Sequence, residues 1–296
     1  MRSGTLRILG GIGALAGAVA ATLVGGALVW ERRTHARVAA LLARIEDPGL
    51  SDIDPVTVPE PVARYLEHAL SPGAGTITWA RLSQRGQFRA SVEPERWAPF
   101  SAVQVFRAEP PGFVWDAAIR MTPVVPVRVR DAYGEGHAEM RAKLGGLFTV
   151  VDAADEPALL RSALIRFLAE SVWIPTRLRP GPHLQWRAEA ADTAVATLTD
   201  GDVSVSLRFR FDAQGDVVEI FSADRPREVD GGYVEQPWIV RLSEHEWVDG
   251  FRIPRRGEVA WLPPTGEEPY WRGRVESLHF ETVPSWRPHA TLESTP

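Results

Sequence analysis

The stretch Val203-Ser-Val-Ser-Leu-Arg-Phe-Arg-Phe211 alternates apolar and polar residues without interruption. Successive side chains of a β-strand point to opposite faces, so this pattern predicts a strand with one buried and one solvated face. The same period of two recurs at Trp115 to Met121, Val127 to Arg130 and Met140 to Leu144. The repeated alternation predicts an antiparallel sheet with a single apolar face.

Other segments extend this sheet into a meander. Turn residues at Asp212-Ala-Gln-Gly215 and Asp249-Gly250 are typical of hairpin connections. Further strands are predicted between turn signals, at Ile77 to Arg89, Ser101 to Ala108, Gln185 to Ala190, Ala194 to Leu198, Val217 to Ser222, Tyr233 to Trp247, Arg252 to Leu262 and Tyr270 to Phe280.

One long helix interrupts the strands. Glu156 to Trp173 carries a broad apolar face at helical spacing, with Asp155 as the expected N-cap and Pro175 ending it. A shorter helix is predicted from Pro61 to Ala69. The predicted fold class is mainly β (α+β), a curved antiparallel sheet or incomplete barrel with one covering helix, preceded by an N-terminal transmembrane helix.

The amino-terminal segment has a different character. Ile8 to Trp30 contains no charged residue, which is long enough for a helix that spans a bilayer, with Trp30 as an interfacial anchor. Ala18-Val19-Ala20 also matches a signal-peptidase site, so cleavage is the alternative. Counting arginines favours a cytoplasmic body, whereas a large following domain translocates regardless of charge, and we expect a single-pass protein with an extracytoplasmic body.

These segments divide the chain into four parts. We predict an anchor at residues 1–30, a stalk and linker at 31–58, a β-rich domain at 59–285 and a tail at 286–296. Gly13 and Gly17 form a G-x-x-x-G pattern inside the anchor, which is a possible dimer contact between two such helices.

Composition and motifs exclude several classes of function. The net charge of -5 gives no bulk attraction to nucleic acid. There is no cysteine, the seven histidines are scattered, and neither a G-x-S-x-G elbow nor a phosphate-binding G-x-x-x-x-G-K-[ST] loop occurs. We therefore expect no metal, no cofactor, no nucleic-acid partner and no catalytic residue of a common class.

The remaining candidates are aromatic and arginine side chains. Apolar ligand pockets are lined mainly by aromatic residues, and the candidates here are Phe113, Trp115, Phe167, Trp173 and Phe209. Arginines that bind phosphate or carboxylate head groups would be Arg128, Arg130 and Arg141. By alternation these arginines point away from the apolar face, as Arg208 and Arg210 also do, which conflicts with a single site.

Four motifs carry a resemblance to a bacterial family known only as a domain of unknown function, over about Val62 to Phe280. They are Pro110-Pro-Gly-Phe113-Val-Trp115-Asp116, Val127-Arg-Val-Arg130-Asp-Ala-Tyr133, Met140-Arg-Ala-Lys143-Leu-Gly-Gly-Leu-Phe148 and Phe167-Leu-Ala-Glu170-Ser-Val-Trp173-Ile-Pro175. The family implies no activity. The architecture is also similar to lipoprotein-carrier and lipoprotein-binding envelope proteins, which implies an acyl-chain site under a helix.

The leading hypothesis is a membrane-anchored protein that binds a hydrophobic or lipidic ligand between the sheet and the Glu156 to Trp173 helix. One alternative is an enzyme with an unfamiliar site, built from Asp116, Arg120, Asp131, Asp224 and Arg225. The other is a non-catalytic interaction module of the cell envelope.

Overall fold

The computed structural model describes residues 2–45, 58–91, 95–122 and 125–284, with side chains at 21–45, 58–89, 95–122 and 125–284. In this part of the chain, thirteen antiparallel strands form one curved, open sheet, which confirms the predicted fold class of the β-rich body. The first six strands are β1 Thr76–Ser91, β2 Arg96–Arg107, β3 Gly112–Ile119, β4 Val127–Gly134, β5 His137–Leu144 and β6 Phe148–Ala154. The other seven are β7 Leu184–Ala190, β8 Thr193–Asp200, β9 Val203–Phe211, β10 Val217–Val229, β11 Gly232–Val248, β12 Phe251–Trp261 and β13 Glu268–Val283.

The strand order explains how a helix comes to cover the sheet. From β1 the chain meanders outward to the edge strand β6, then crosses to the opposite edge strand β7 and returns inward to β13, which pairs with β1. The crossing contains α3, Pro157–Glu170, and the 3-10 helices Ser171–Trp173 and Pro175–Leu178. A connection between opposite edges has to pass over one face, and α3 therefore contacts β4 and β5 on one side and β9 and β10 on the other.

The face under α3 holds the main apolar core, and we call it the inner face. It carries the alternating residues predicted to be buried, among them Val205, Leu207 and Phe209. A short helix, α2 Glu60–Ala69, packs at the same core through Val62 and Tyr65. The protein's own side chains fill the inner face, as in the close-packed core of other globular proteins.

Two local predictions need correction. Asp155 does not cap α3: the N-cap is Glu156, without a side-chain cap bond, and Asp155 has a positive φ of 57° and accepts a hydrogen bond from the amide of Ala138. Strand β6 was also missed, because Phe148 to Ala154 does not alternate cleanly. By contrast, the Asp249-Gly250 hairpin is confirmed, since both residues have the positive φ angles that such a tight turn requires.

A long helix, α1 Arg2–Leu42, precedes the sheet. Its carboxyl-terminal part lies on the face opposite the core, which we call the outer face, where Leu41 packs with Val105, Val114 and Ala132. The predicted stalk therefore begins as a helix docked on the domain. Trp30, expected at a membrane interface, is instead buried, and its indole nitrogen donates to the Asp116 carboxylate at 2.8 Å.

Among the residues that the structure describes, no helix has an apolar stretch sufficient to cross a bilayer. The part of the predicted span from Ile8 to Ala20, including Gly13 and Gly17 of the predicted dimer contact, lies outside the described side chains. Residues 46–57 of the predicted linker and the predicted tail at 286–296 also lie outside the described part.

Candidate functional site: a buried polar strip under the covering helix

The aromatic candidates all lie on or against the inner face. Phe113, Phe167 and Trp173 surround Phe106, with ring centroids 6.5, 6.3 and 6.5 Å from its own. All of these rings are buried. They form one aromatic cluster between β2, β3 and the α3 crossing.

Phe209 belongs to the other half of the same core. Its ring packs edge-on against Trp186, with centroids 5.1 Å apart. The structure therefore distributes the predicted aromatic residues along the inner face, within the buried core.

A strip of polar side chains crosses this apolar face. Gln104, Trp115 and Asp131 are direct neighbours across β2, β3 and β4. Gln84 on β1 joins them, because its Oε1 accepts a hydrogen bond from the Trp115 indole nitrogen at 2.8 Å. Four separate strands thus place hydrogen-bonding groups in a row where the surrounding positions are apolar.

Helix α3 closes the strip from above. Arg166 donates to Asp131 at 2.5 Å and to Glu170 at 2.9 Å, and Gln104 donates to Glu170 at 2.6 Å. The Arg166 guanidinium also stacks 4.9 Å from the Phe113 ring centroid and 5.0 Å from that of Trp115. One arginine therefore joins the helix to the sheet through charge, hydrogen bonds and cation–π contacts.

In the strip, burial and neighbouring charges have opposite effects on the pKa values of the ionisable groups. Burial raises the pKa of Glu170, although Arg166 and Gln104 favour its charged form. Burial also disfavours the charged form of Arg166, but the neighbouring Glu170 and Asp131 carboxylates outweigh this and raise its pKa. Arg166 is therefore a permanent cation shared by two carboxylates.

Two atoms of the strip have no hydrogen-bond partner. They are Nε2 of Gln84, whose residue is 1% exposed, and Oε1 of Gln104, whose residue is 0% exposed. A buried polar group without a partner costs about 1–3 kcal/mol, and such groups in native proteins mark strain, a water molecule or ion, or a binding site. Sequence reasoning missed both glutamines, although each occupies an inward position of an alternating strand.

The predicted arginines lie on the outer face, away from the aromatic residues. Arg128 pairs with Asp116 at 2.8 Å, and Arg130 pairs with Glu139 at 2.7 Å and stacks on Trp30. The structure brings these side chains together with Arg141, which lies near Glu139 and Asp152 at 3.3 and 3.4 Å. Arg208 and Arg210 are on β9 in the distant half of the sheet, so they do not join this group.

The residues of the alternative enzyme site are also separated. Asp116 is on the outer face with Trp30, Asp131 is under α3 with Arg166, and Asp224 pairs with Arg161. The remaining two are Arg120, which is exposed, and Arg225, which donates to Ser162 and Tyr270. Within the described residues, no group of three or more His, Asp and Glu side chains is placed to hold a metal ion.

Residues 56–280 match the profile of DUF6920, described as a family of unknown function. The chain belongs to this family. The resemblance predicted from the four motifs is thereby confirmed. Those motifs build β3, β4, β5 and the α3 crossing, which is the half of the sheet that carries the polar strip.

Two solved structures are also similar to the chain. An outer membrane lipoprotein-sorting protein domain from Vibrio parahaemolyticus is 11% identical, covers 75% of this chain and 90% of its own, and has a TM-score of 0.36. A LolA superfamily protein from Nitrosomonas europaea is 11% identical, covers 76% and 93%, and has a TM-score of 0.32. None of the curated proteins matches the chain.

Proposed function

We propose that this protein is a membrane-tethered envelope domain that binds an amphipathic, lipidic ligand on the inner face beneath α3. The observation that carries the proposal is the pair of unpartnered atoms, Gln84 Nε2 and Gln104 Oε1, inside an otherwise apolar face. Each glutamine also makes a structural hydrogen bond, Gln84 with Trp115 and Gln104 with Glu170, but that bond uses only one of the two polar atoms of its amide.

The two glutamines define the polar part of the ligand. Gln84 Nε2 offers a donor and Gln104 Oε1 offers an acceptor. A hydroxyl or an amide carries both an acceptor for Gln84 Nε2 and a donor for Gln104 Oε1, and an acyl chain attached to it would lie along the aromatic cluster. Burial of the chain contributes roughly 25 cal/mol per Å² before the costs of association.

Entry of such a ligand requires α3 to move, because side chains fill the space beneath it. Arg161 holds the first half of α3 to Glu235 at 2.7 Å and to Asp224, and Arg166 holds the second half to Asp131. The Arg161 pairs are more exposed than the Arg166 pair. We infer that the amino-terminal half of α3 lifts first, since exposed ion pairs hold weakly.

The tether is the second part of the proposal. The uncharged run from Ile8 to Trp30 overlaps the docked part of α1, which includes Gly26 and Trp30. A single span by the part of the run before Gly26 would hold the domain at the membrane that supplies the ligand. An extracytoplasmic orientation stays a prediction.

Photo-crosslinking in the host cell tests the ligand. Met140 lies beside Asp131 on the next strand, so p-benzoylphenylalanine at position 140 reports on the strip. We expect a lipid-sized mass on the peptide that contains this position, and none from a probe at Ser206 on the outer face. A Gln84→Leu, Gln104→Leu double variant should lower the adduct yield severalfold, whereas Arg208→Gln should not. Adducts to the protein's own side chains alone would overturn the proposal and favour the interaction module.

A further inference from the structure

A small cleft lies on the outer face, between α1 and strand β5. It is lined by Val29, Trp30 and Gly146 and by four cationic residues, Arg33, Arg130, Arg141 and Lys143. The cleft has a volume of about 30 Å³. This is room for one or two water-sized groups, such as the oxygens of a phosphodiester.

The charges around the cleft are not balanced. Arg130 and Arg141 pair with Glu139, and Arg141 also lies near Asp152. Arg33 and Lys143, the only lysine of the chain, have no ion-pair partner in the part of the chain that the structure describes. Four cations thus face two carboxylates, and the excess positive charge suits an anion.

Helix α1 meets the β5–β6 turn where the backbone of Gly146 lies against Gly26, and both α1 and β6 carry exposed apolar side chains. On α1, Val24 and Leu28 are 58% and 52% exposed and lie one turn apart on the same side. On β6, Phe148 and Val150 are 69% and 61% exposed. We call these four residues the apolar tip.

The spacing between the apolar tip and the cleft corresponds to a leaflet surface. Leu28 and Arg33 are five residues apart on α1, a rise of about 7.5 Å. The head-group layer on each side of a bilayer is about 5–7.5 Å thick. With α1 along the bilayer normal, apolar side chains at Leu28 would reach the acyl region while Arg33 stays at the level of the phosphates.

We propose that the cleft binds the phosphate of an anionic phospholipid while the apolar tip enters the same leaflet. The inference rests on the membrane attachment in the proposed function and is independent of the ligand under α3. In this proposal Arg130 and Arg141 contact a ligand on the outer face, since their side chains do not reach the inner face. The lipid phosphate would lie against the unpaired Arg33 and Lys143, with the Trp30 ring at the wall of the cleft.

The first measurement is native mass spectrometry of the full chain in dodecyl maltoside micelles, titrated with phosphatidylglycerol or phosphatidylcholine. We expect preferential retention of phosphatidylglycerol. Each Lys or Arg near an anionic membrane surface raises the affinity for the anionic lipid by about fivefold. The Arg33→Gln, Lys143→Gln double variant should therefore bind phosphatidylglycerol about 25-fold more weakly, and the matched outer-face control, Arg208→Gln with Arg210→Gln, should bind as the wild type does.

The second measurement places the apolar tip. Because the chain has no cysteine, Phe148→Cys labelled with an environment-sensitive fluorophore reports from one site. In nanodiscs containing phosphatidylglycerol its emission should shift to the blue, whereas a label at Ser206→Cys should not shift. Equal emission at both sites would overturn insertion of the tip.

Three further outcomes bear on the cleft. Equal retention of both lipids, or an unchanged affinity in the double variant, would overturn the phosphate site. Displacement of phosphatidylglycerol by millimolar inorganic phosphate would assign the cleft to a free anion and would also overturn it. Loss of the Met140 crosslink to lipid would leave all of these readouts unchanged, so failure of the inner-face proposal is recognised separately.

Discussion

The buried guanidinium of Arg107 donates from Nη1 to the main-chain carbonyl of Leu41, in the last turn of α1, at 3.0 Å. The same side chain, 0% exposed, donates from Nε to the carbonyl of Pro110 at 2.8 Å and pairs with Glu135 at 3.2 Å. A cationic side chain at the carboxyl end of a helix donates hydrogen bonds to the free carbonyl groups there, and its charge interacts favourably with the helix dipole. The sheet thereby caps the helix that leads to the proposed tether.

Replacement of Arg107 should release the end of α1. In Arg107→Met, the Leu41 and Pro110 carbonyls lose a buried charged donor, and we expect a loss of about 3 kcal/mol in the free energy of unfolding. Urea denaturation measures the loss, and hydrogen exchange should accelerate in the last turns of α1. Arg85→Met removes an exposed pair with Glu276 and should cost less than about 1 kcal/mol. Equal effects of the two variants would contradict the assigned role.

Two arginines of α3 should differ sharply in their contribution to stability. Arg166→Met leaves Asp131 and Glu170 without their shared cation in a largely buried strip, which should destabilise the fold by about 3–5 kcal/mol. Arg161→Met breaks pairs with the more exposed Asp224 and Glu235, and should cost less than about 1 kcal/mol. Thermal denaturation of both variants provides the comparison, and a larger loss in Arg161→Met would refute the proposed order of opening.

Acid should weaken the domain around His245 on β11. Burial lowers the pKa of His245 below its ordinary value of 6.5, against the opposing charge of Asp216, which itself pairs with Arg252 at 2.7 Å. Below pH 6.5 the unfolded chain therefore binds a proton that the folded chain resists, so the free energy of unfolding falls as the pH falls. This contribution is at most about 1.4 kcal/mol per pH unit.

The variant His245→Gln should lack this contribution. Urea denaturation of wild type and variant between pH 8 and pH 5 measures it. The two stability curves should be parallel above pH 7, and the wild-type curve should fall more steeply than the variant curve below pH 6.5. Curves that stay parallel throughout would show that His245 does not carry the pH dependence.

Gly86 should be intolerant of any side chain because of its position in the sheet. It lies opposite Gly273 on β13 and Phe100 on β2, and an added Cβ would clash with the Arg272 carbonyl oxygen and lie 2.8 Å from the Phe100 ring. Gly86→Ala should therefore lower the free energy of unfolding by about 1–3 kcal/mol. Gly232→Ala, whose nearest atom would be 3.9 Å away, should be neutral or slightly stabilising. Urea denaturation distinguishes the two, and a neutral Gly86→Ala would contradict the crowding.

Local patterns predicted a large part of this fold. Alternation along Val203–Phe211 identified which side chains face the core, because each strand meets the core along one face only. The apolar face of the Glu156 to Trp173 segment likewise predicted a helix that covers the sheet, and α3 with its following 3-10 turn occupies that range. The same alternation predicted that the aromatic residues face the core and that the arginines lie on the other face of the sheet.

The site was only partly predictable. Trp115, a predicted ligand-binding residue, and Asp131, from the alternative enzyme set, lie in the polar strip, but Gln84 and Gln104 gave no recognised signal. Each glutamine is an ordinary residue in its own strand. They become informative only when strand pairing places them under Arg166 and Glu170, which lie far away in sequence.

The sequence by itself determined the β-rich class, the inward and outward sides of its strands, the position of the covering helix and the family resemblance. These properties depend on periodicity and on short motifs, which are local. Tertiary structure alone decided that β13 pairs with β1, that α1 docks on the outer face through Trp30 and Arg107, and that the polar strip assembles under α3. Such contacts join residues from separate segments, and their energies depend on burial and hydrogen-bond geometry that no single segment contains.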